Sequence, residues 1–185
     1  MRRKGQGPTM KRYILTGAPG AGKTAVLRFL ERAGIAVVEE AATDVIALAQ
    51  ALGTPEPWTS ASFVDEIVAL QRERQLLAIG DVVVFDRSPI CTWALAEFLG
   101  YPPSAILQAE LARIEREATY QRRVFFLENL GFIEPTAARR ISFEESLRFE
   151  ALHAEVHRRL GYELLCIAAA DVRTRADRIM RTVFA

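Results

Sequence analysis

The sequence predicts a three-layer α/β fold, a parallel β-sheet with helices on both faces, and three observations carry that reading. Short apolar runs alternate with stretches of helical periodicity from Tyr13 to Thr182, the pattern of parallel strands joined by helical crossovers. One run, Val82-Val-Val-Phe85, is continuous and β-branched, as a strand buried on both faces should be. The first run, Tyr13-Ile-Leu-Thr16, breaks into a glycine-rich turn and then an amphipathic stretch, a strand–turn–helix unit. With 185 residues, half of them apolar, the chain is long enough for one domain with a sizeable core. That domain is expected over residues 10–185. Residues 1–9 are basic and glycine-rich and lack the apolar core of a secretory signal, so they read as a disordered tail, with Met10 an alternative start.

The first strand runs directly into Gly17-Ala18-Pro19-Gly20-Ala21-Gly22-Lys23-Thr24, followed by Ala25. This fits G-x-x-x-x-G-K-[ST], the phosphate-binding loop. Gly17, Gly20 and Gly22 let backbone N–H groups approach phosphate oxygens with no Cβ in the way. The helix beginning at Lys23, with Val26, Leu27 and Leu30 at helical spacing, turns its positive end toward the same anion. Lys23 would reach the β- and γ-phosphates and the Thr24 hydroxyl would ligate Mg²⁺. A dinucleotide fingerprint competes here, since Gly20-x-Gly22-x-x-Ala25 is followed by Glu39 and Glu40 about 20 residues on. It wants its first glycine directly at the strand end, where Gly17 stands, and it leaves Lys23-Thr24 without a task. The phosphate loop is the better reading.

Gly34 ends the first helix, and Ile35-Ala-Val-Val38 reads as a buried second strand closing on Glu39-Glu40. A helix over about 43–52 leads to a proline loop, Gly53-Thr-Pro-Glu-Pro57-Trp58. A longer helix over about 60–79 puts Phe63, Ile67, Leu70 and Leu77 on its apolar side. The third strand, Val82–Phe85, runs into Asp86-Arg87-Ser88. Helices follow over about 89–99 and 104–120, then the fourth strand, Arg123–Leu127, and a loop from Asn129 to Ile141 that holds Arg139 and Arg140. Ser142 and Glu145 form a capping box for a helix to about Leu160. Tyr162–Ile167 is the fifth strand, and a last helix covers about 172–182.

In an open parallel sheet, ligands lie beyond the carboxyl ends of the strands, so the polar residues after each run are the candidates. Asp86 sits where a carboxylate could hold Mg²⁺ or orient an acceptor; its competing role is that of a helix cap before Pro89. Arg87 offers a planar fork for phosphate or substrate. Glu39 and Glu40 point in opposite directions, and Glu40 is preferred as the carboxylate that meets an acceptor hydroxyl. Arg139 or Arg140, in a loop of lid size, would stabilise charge on a transferring phosphoryl. Glu128-Asn129 and Asp171 end the fourth and fifth strands. Trp58, Phe63 and Gln71 could touch an acceptor, with packing the default for the aromatics. His153 and His157 lie four apart on one helix without a third ligand, which argues against a metal site.

The bulk properties exclude several classes. There are 24 basic and 23 acidic residues, so no global field favours nucleic acid or an anionic membrane. No apolar run approaches the length of a membrane span. Cys91 and Cys166 are far apart in apolar segments and read as buried reduced thiols, which suits a cytoplasmic protein.

Three segments together, Lys11-Arg-Tyr-Ile-Leu-Thr-Gly-Ala-Pro-Gly-Ala-Gly-Lys-Thr, Val37-Val-Glu-Glu-Ala-Ala and Val84-Phe-Asp-Arg-Ser-Pro, resemble the AAA_28-type P-loop ATPase and kinase family. Its relatives include nicotinamide-riboside kinase domains and, more distantly, deoxynucleoside and thymidylate kinases. The resemblance runs from about Met10 to the C-terminus. It implies five parallel strands in the order 2-3-1-4-5, a lid after the fourth strand, and functional roles for Glu40 and the Asp86-Arg87 pair.

The expectation is a kinase that moves the γ-phosphoryl of Mg-ATP to a hydroxyl of a small, nucleoside-like acceptor. An ATP-hydrolysing regulatory module with a protein partner is the main alternative, and a nucleic-acid end kinase the third, disfavoured by the near-zero charge. A GTP switch would show Asp-x-x-Gly and Asn-Lys-x-Asp, and Asp86-Arg-Ser-Pro and Glu128-Asn-Leu-Gly are neither. The acceptor, the choice of ATP over GTP and any homo-oligomer stay open at this stage.

Overall fold

A computed structural model describes residues 10–131 and 142–185. Five parallel strands, β1 (Lys11–Gly17), β2 (Ala36–Val38), β3 (Val82–Asp86), β4 (Arg123–Leu127) and β5 (Glu163–Ile167), form one sheet. Their order is β2-β3-β1-β4-β5, as the family resemblance implies. The connecting helices are α1 (Lys23–Arg32), α2 (Ala41–Ala51), α3 (Ser62–Leu77), α4 (Pro89–Phe98), α5 (Ala105–Arg116), α6 (Phe143–Arg159) and α7 (Val172–Val183). A short 3₁₀ turn, Pro57–Thr59, separates α2 from α3.

The pleat of β1 divides the core between two faces. Tyr13 and Leu15 pack with Val26, Leu27 and Leu30 of α1 and with Ala176, Ile179 and Val183 of α7. Ile14 points the other way, into a layer with Ile90, Cys91 and Ala94 of α4 and with Phe149 and Val156 of α6. Phe125 and Leu127 serve the first face and Val124 the second, which explains why β4 reads as an unbroken apolar run. Outside α4, a satellite cluster joins Ala41 and Val45 of α2 to Phe63 and Ile67 of α3, with Trp58, Leu95 and Leu99 against it.

Several boundaries depart from the sequence reading. α5 ends at Arg116 rather than near Tyr120, because Ala118 turns left-handed at φ 46° and Thr119 N–H donates to the Ile114 carbonyl at 3.0 Å. A glycine would have flagged that stop; an alanine hides it. α2 begins two residues early, with Glu40 at its N-cap. Leu77, expected on the apolar side of α3, is 69% exposed, since the buried stripe of α3 runs through Phe63, Ile67, Gln71 and Gln75 and Leu77 lies off it. Cys166 is exposed, not buried; Cys91 is buried as expected. The capping box of Ser142 and Glu145 forms as read. No described helix is long and apolar enough to cross a membrane.

Candidate active site

The carboxyl ends of β1, β2 and β3 bring the polar residues together. The turn between β1 and α1 holds Gly17, Gly20 and Gly22 at φ 139°, 84° and 78°, and Gly22 is the N-cap of α1. Within it, Ala21 N–H donates to the Ala18 carbonyl at 3.2 Å. Lys23 curls back over this turn: its ammonium donates to the carbonyl oxygens of Ala18 at 3.0 Å and Gly17 at 3.4 Å. Thr24 and Ala25, in the first turn of α1, are exposed. Ala18 and Ala21 are fully buried, and Pro19 borders the adjoining cavity.

Asp86 is the last residue of β3, buried, and one of its carboxylate oxygens, Oδ1, has no hydrogen-bond partner among the described residues. It is not a helix cap. That position falls to Ser88, with Pro89 in the first turn of α4. Burial raises the Asp86 carboxyl, Glu40 adds to this, and Lys23 and Arg87 oppose it. An orphaned, buried carboxylate oxygen and an exposed threonine hydroxyl are oxygen donors of the kind that suits a hard divalent cation such as Mg²⁺, which takes oxygen ligands and keeps waters. A bound cation would also oppose the effect of burial by favouring the ionised carboxylate.

Arg87 turns left-handed at φ 73°, a conformation rare enough for a long side chain to signal a functional constraint. The turn sends its guanidinium back over the sheet edge. Nε donates to Glu40 Oε1 at 2.6 Å, Nη1 lies 2.7 Å from His153 Nε2, and Nη2 donates to the Gly17 carbonyl at 3.2 Å. The Phe149 ring stands 5.7 Å from the guanidinium carbon, in cation–π range. The Arg87 side chain is only 10% exposed.

Glu39 and Glu40 separate as strand alternation requires. Glu39 faces outward and pairs with Arg28; Glu40 faces the site. Its second oxygen accepts from the Thr43 hydroxyl at 2.8 Å. Arg74 of α3 anchors this corner by donating to the Glu39 and Glu40 carbonyls at 3.0 and 2.9 Å and pairing with Asp44. Burial alone would raise the Glu40 carboxyl, but Arg87, Lys23 and the Thr43 hydroxyl outweigh it and hold the pKa at about 2.

Next to these groups lies a cavity of about 450 Å³. Pro19, Lys23, Glu40 and Arg87 border it, and Trp58, Phe63, Ile67, Leu95, Phe98 and Phe149 make its wall mostly apolar. Gln71 and Thr92 supply polar points, with the Thr92 hydroxyl donating to Gln71 Oε1 at 2.8 Å. Trp58, Phe63 and Gln71, raised from sequence as acceptor contacts, all line this cavity.

Other candidates lie elsewhere. Asp171 caps α7, accepting from Thr174 N–H at 3.0 Å. Asn129 donates to Glu150 at 3.3 Å and accepts from Gly131 N–H at 2.9 Å. Arg139 and Arg140, and the lid expected around them, lie outside the described residues. The histidines form no metal cluster with other described residues, and instead point inward. His153 is fully buried against Arg87; His157 contacts Cys91 Sγ at 3.9 Å. Burial first, then the charges of Arg87 and Lys23, push the His153 pKa well below the ordinary value, so the ring is neutral. Sequence reasoning gave His153 and Phe149 no part in the site. The available signal was a histidine on the same buried stripe of α6 as Phe149 and Val156, a polar group on an apolar face.

Several solved structures share this fold. A thymidylate kinase from Ehrlichia chaffeensis matches over 96% of this chain and 100% of its own, with a TM-score of 0.62 and 14% identity. A deoxyadenosine kinase from M. mycoides, solved with dATP, matches over 94% and 100%, with a TM-score of 0.57 and 13% identity. A shikimate kinase from Acinetobacter baumannii, solved with shikimate, matches over 96% and 94%, with a TM-score of 0.57 and 15% identity. At such identities the likeness is one of fold, that of the P-loop kinases. No curated protein matches the sequence. The sequence model of AAA_28, described as an AAA domain, matches residues 12–175. That span begins in β1, takes in the glycine turn, Glu40 and Asp86-Arg87, and ends on α7, so the chain belongs to the AAA_28 family and is a P-loop phosphotransferase or ATPase.

Proposed function

We propose that this protein is a kinase that transfers the γ-phosphoryl group of ATP to a hydroxyl of a small, neutral, nucleoside-like acceptor. The observation that carries the reading is the cavity of about 450 Å³ bordered at once by Lys23 of the phosphate loop and by Glu40 and Arg87. A hydrolase needs room for one water there; this space suits a small organic molecule.

The amides of 17–24 and the end of α1 hold the triphosphate, and Lys23 leaves the Ala18 and Gly17 carbonyls to contact its outer phosphates. Thr24 and Asp86 would hold Mg²⁺, which when bound neutralises charge on the β- and γ-phosphates. The acceptor hydroxyl donates a hydrogen bond to Glu40 and so points its oxygen at the γ-phosphorus. The new O–P bond forms as the bond from phosphorus to the β,γ-bridging oxygen breaks, leaving ADP. With a pKa near 2, Glu40 is a weak base, so it orients the hydroxyl and passes its proton to water late in a largely dissociative transfer. Arg87 stabilises charge spread over the moving phosphoryl oxygens.

The cavity also supports a neutral acceptor. Among the described residues, its charged lining is Lys23, Arg87, Glu40 and Glu56. In this reading Lys23 and Arg87 serve the phosphates of ATP, so an acceptor bearing its own phosphate would meet no further cation among the described lining residues. The apolar wall suits a ring, and Gln71, with its oxygen engaged by Thr92, presents amide hydrogens. The test is ADP release from Mg-ATP, alone and with a panel of nucleosides, nucleotides and other small alcohols, with mass spectrometry of the products and Lys23→Ala as blank. One neutral acceptor gaining one phosphate is the expected result. Slow ADP release indifferent to every acceptor would replace this reading with the regulatory ATPase.

A further inference from the structure

We propose that His153 is a positioning residue that holds the Glu40–Arg87 pair open, so that Glu40 keeps a carboxylate edge for the acceptor hydroxyl. The inference rests on the phosphotransfer reading for its consequence and on hydrogen-bond chemistry for its geometry. A guanidinium has five N–H donors and no acceptor. His153 Nε2, 2.7 Å from Arg87 Nη1, must therefore carry its lone pair toward Arg87, and the ring proton must sit on Nδ1. That Nδ1 is buried with no partner among the described residues.

One turn on, His157 Nδ1 lies 2.6 Å from the His153 carbonyl, which can only accept, so His157 too carries its proton on Nδ1. Its Nε2 faces the Cys91 sulfur at 3.9 Å. Arg87 thus fixes the His153 tautomer, and the backbone carbonyl places a proton on His157 Nδ1. A buried N–H without a partner costs stability, and an apolar side chain of similar size would avoid that cost. What the histidine supplies, and an apolar residue could not, is the acceptor for Arg87.

The consequence shows at Glu40. Arginine and carboxylate prefer a two-bond fork, yet here they share one bond, Nε to Oε1 at 2.6 Å. Nη1 is drawn to His153, Nη2 to the Gly17 carbonyl, and Phe149 covers the guanidinium face. Glu40 Oε2 accepts instead from the small Thr43 hydroxyl, leaving lone pairs that face the cavity. Without His153, Nη1 loses its partner and the guanidinium is free to turn, so that Nη2, the amine on the Nε side, leaves the Gly17 carbonyl at 3.2 Å and closes the fork on Glu40.

Two measurements decide this. Long-range ¹H–¹⁵N spectra of the imidazole rings report the tautomer, and the Arg87 Nε–H resonance reports whether the guanidinium is held. His153 should carry its proton on Nδ1, and the Arg87 signal should survive in His153→Gln, whose amide oxygen can accept, but broaden or shift in His153→Leu. In ADP release with the acceptor that the panel identifies, His153→Leu should lower kcat by ~10-fold or more, with KM for Mg-ATP within ~2-fold, and His153→Gln should recover most of it. In an Arg87→Met background, His153→Leu should cost no more than ~2-fold further. A proton on Nε2, equal losses in the Gln and Leu variants, or additive losses with Arg87→Met would overturn the proposal. If the intact protein turns over ATP no faster than Lys23→Ala, the phosphotransfer reading fails and with it the consequence at Glu40; the spectra still decide whether His153 holds Arg87.

Discussion

A Cβ added to Gly17 would stand 2.2 Å from the Leu127 carbonyl oxygen, on a backbone held at φ +139°. Both the contact and the conformation forbid a side chain, because β1 and β4 are hydrogen-bonded neighbours at this point. Gly17→Ala should therefore cost about 3 kcal/mol or more. Gly34→Ala, at φ +88° with nothing near its Cβ, should cost only about 1 kcal/mol. Urea midpoints of the two variants make the comparison, and equal shifts would contradict it. Glu40 allows a pH test at the same scale. The fold holds its pKa near 2, against an ordinary 4.5, so the folded state favours the ionised form. The stabilisation is full above pH ~4.5 and is lost as pH falls toward 2, up to about 3 kcal/mol. Glu40→Gln should be less stable at pH 7 by a similar amount, since Arg87 loses its charge partner. Its urea midpoint should then fall less between pH 4.5 and 2.5 than that of the parent. Parallel curves would mean that Glu40 is not held by Arg87 in solution.

Among the elements, α7 does more than cover the sheet. Its Arg175, buried within the first turns, donates to the carbonyls of Ala21 at 2.6 Å, Glu128 at 2.8 Å and Ile167 at 3.5 Å. One planar fork thus ties the glycine turn to the ends of β4 and β5. Arg175→Met would keep the apolar stem and strand the carbonyls, at a cost of about 2–4 kcal/mol. It should also weaken Mg-ATP binding by ~10-fold, since the loop amides would lose their fixed orientation. Calorimetric titration with a non-hydrolysable ATP analogue, beside a thermal melt, separates the two effects; unchanged affinity would show that the turn holds its shape alone. Arg175 illustrates what the sequence hides. The strands, the glycine turn and the capping box are local, written in period, glycine spacing and a Ser-x-x-Glu pattern, and they are legible. An arginine that reaches residues 154 positions away carries no local mark, nor does the left-handed Ala118 that ends α5.

Across the whole molecule the same division holds. Glu40, Asp86 and Arg87 could be singled out because a parallel sheet brings its carboxyl ends to one edge, so strand assignment alone told where to look. Of the apolar wall of the cavity only Trp58 and Phe63 are candidates from the sequence, since Leu95, Phe98 and Phe149 meet only when α4 and α6 pack, and each looks like ordinary core. The topology also links stability to occupancy. The glycine turn joins β1 to α1, Glu40 joins β2 to α2, and Asp86-Arg87 joins β3 to α4, so a nucleotide seated there braces three connections at once. A ligand that binds only the folded chain stabilises it by mass action, by ~2.7 kcal/mol at a hundred times its Kd. For a chain of this size that corresponds to a rise in Tm of about 5–10 °C. Lys23→Ala should melt near the parent temperature without nucleotide and lose most of the rise with Mg-ATP. Chelating the metal should remove part of the rise from the parent protein, because the Thr24 hydroxyl and the orphaned Asp86 oxygen then have no cation to share with the phosphates. An equal rise in parent and Lys23→Ala would place the nucleotide away from the glycine turn and sink the assignment of this edge as the active site, whatever turnover the protein shows.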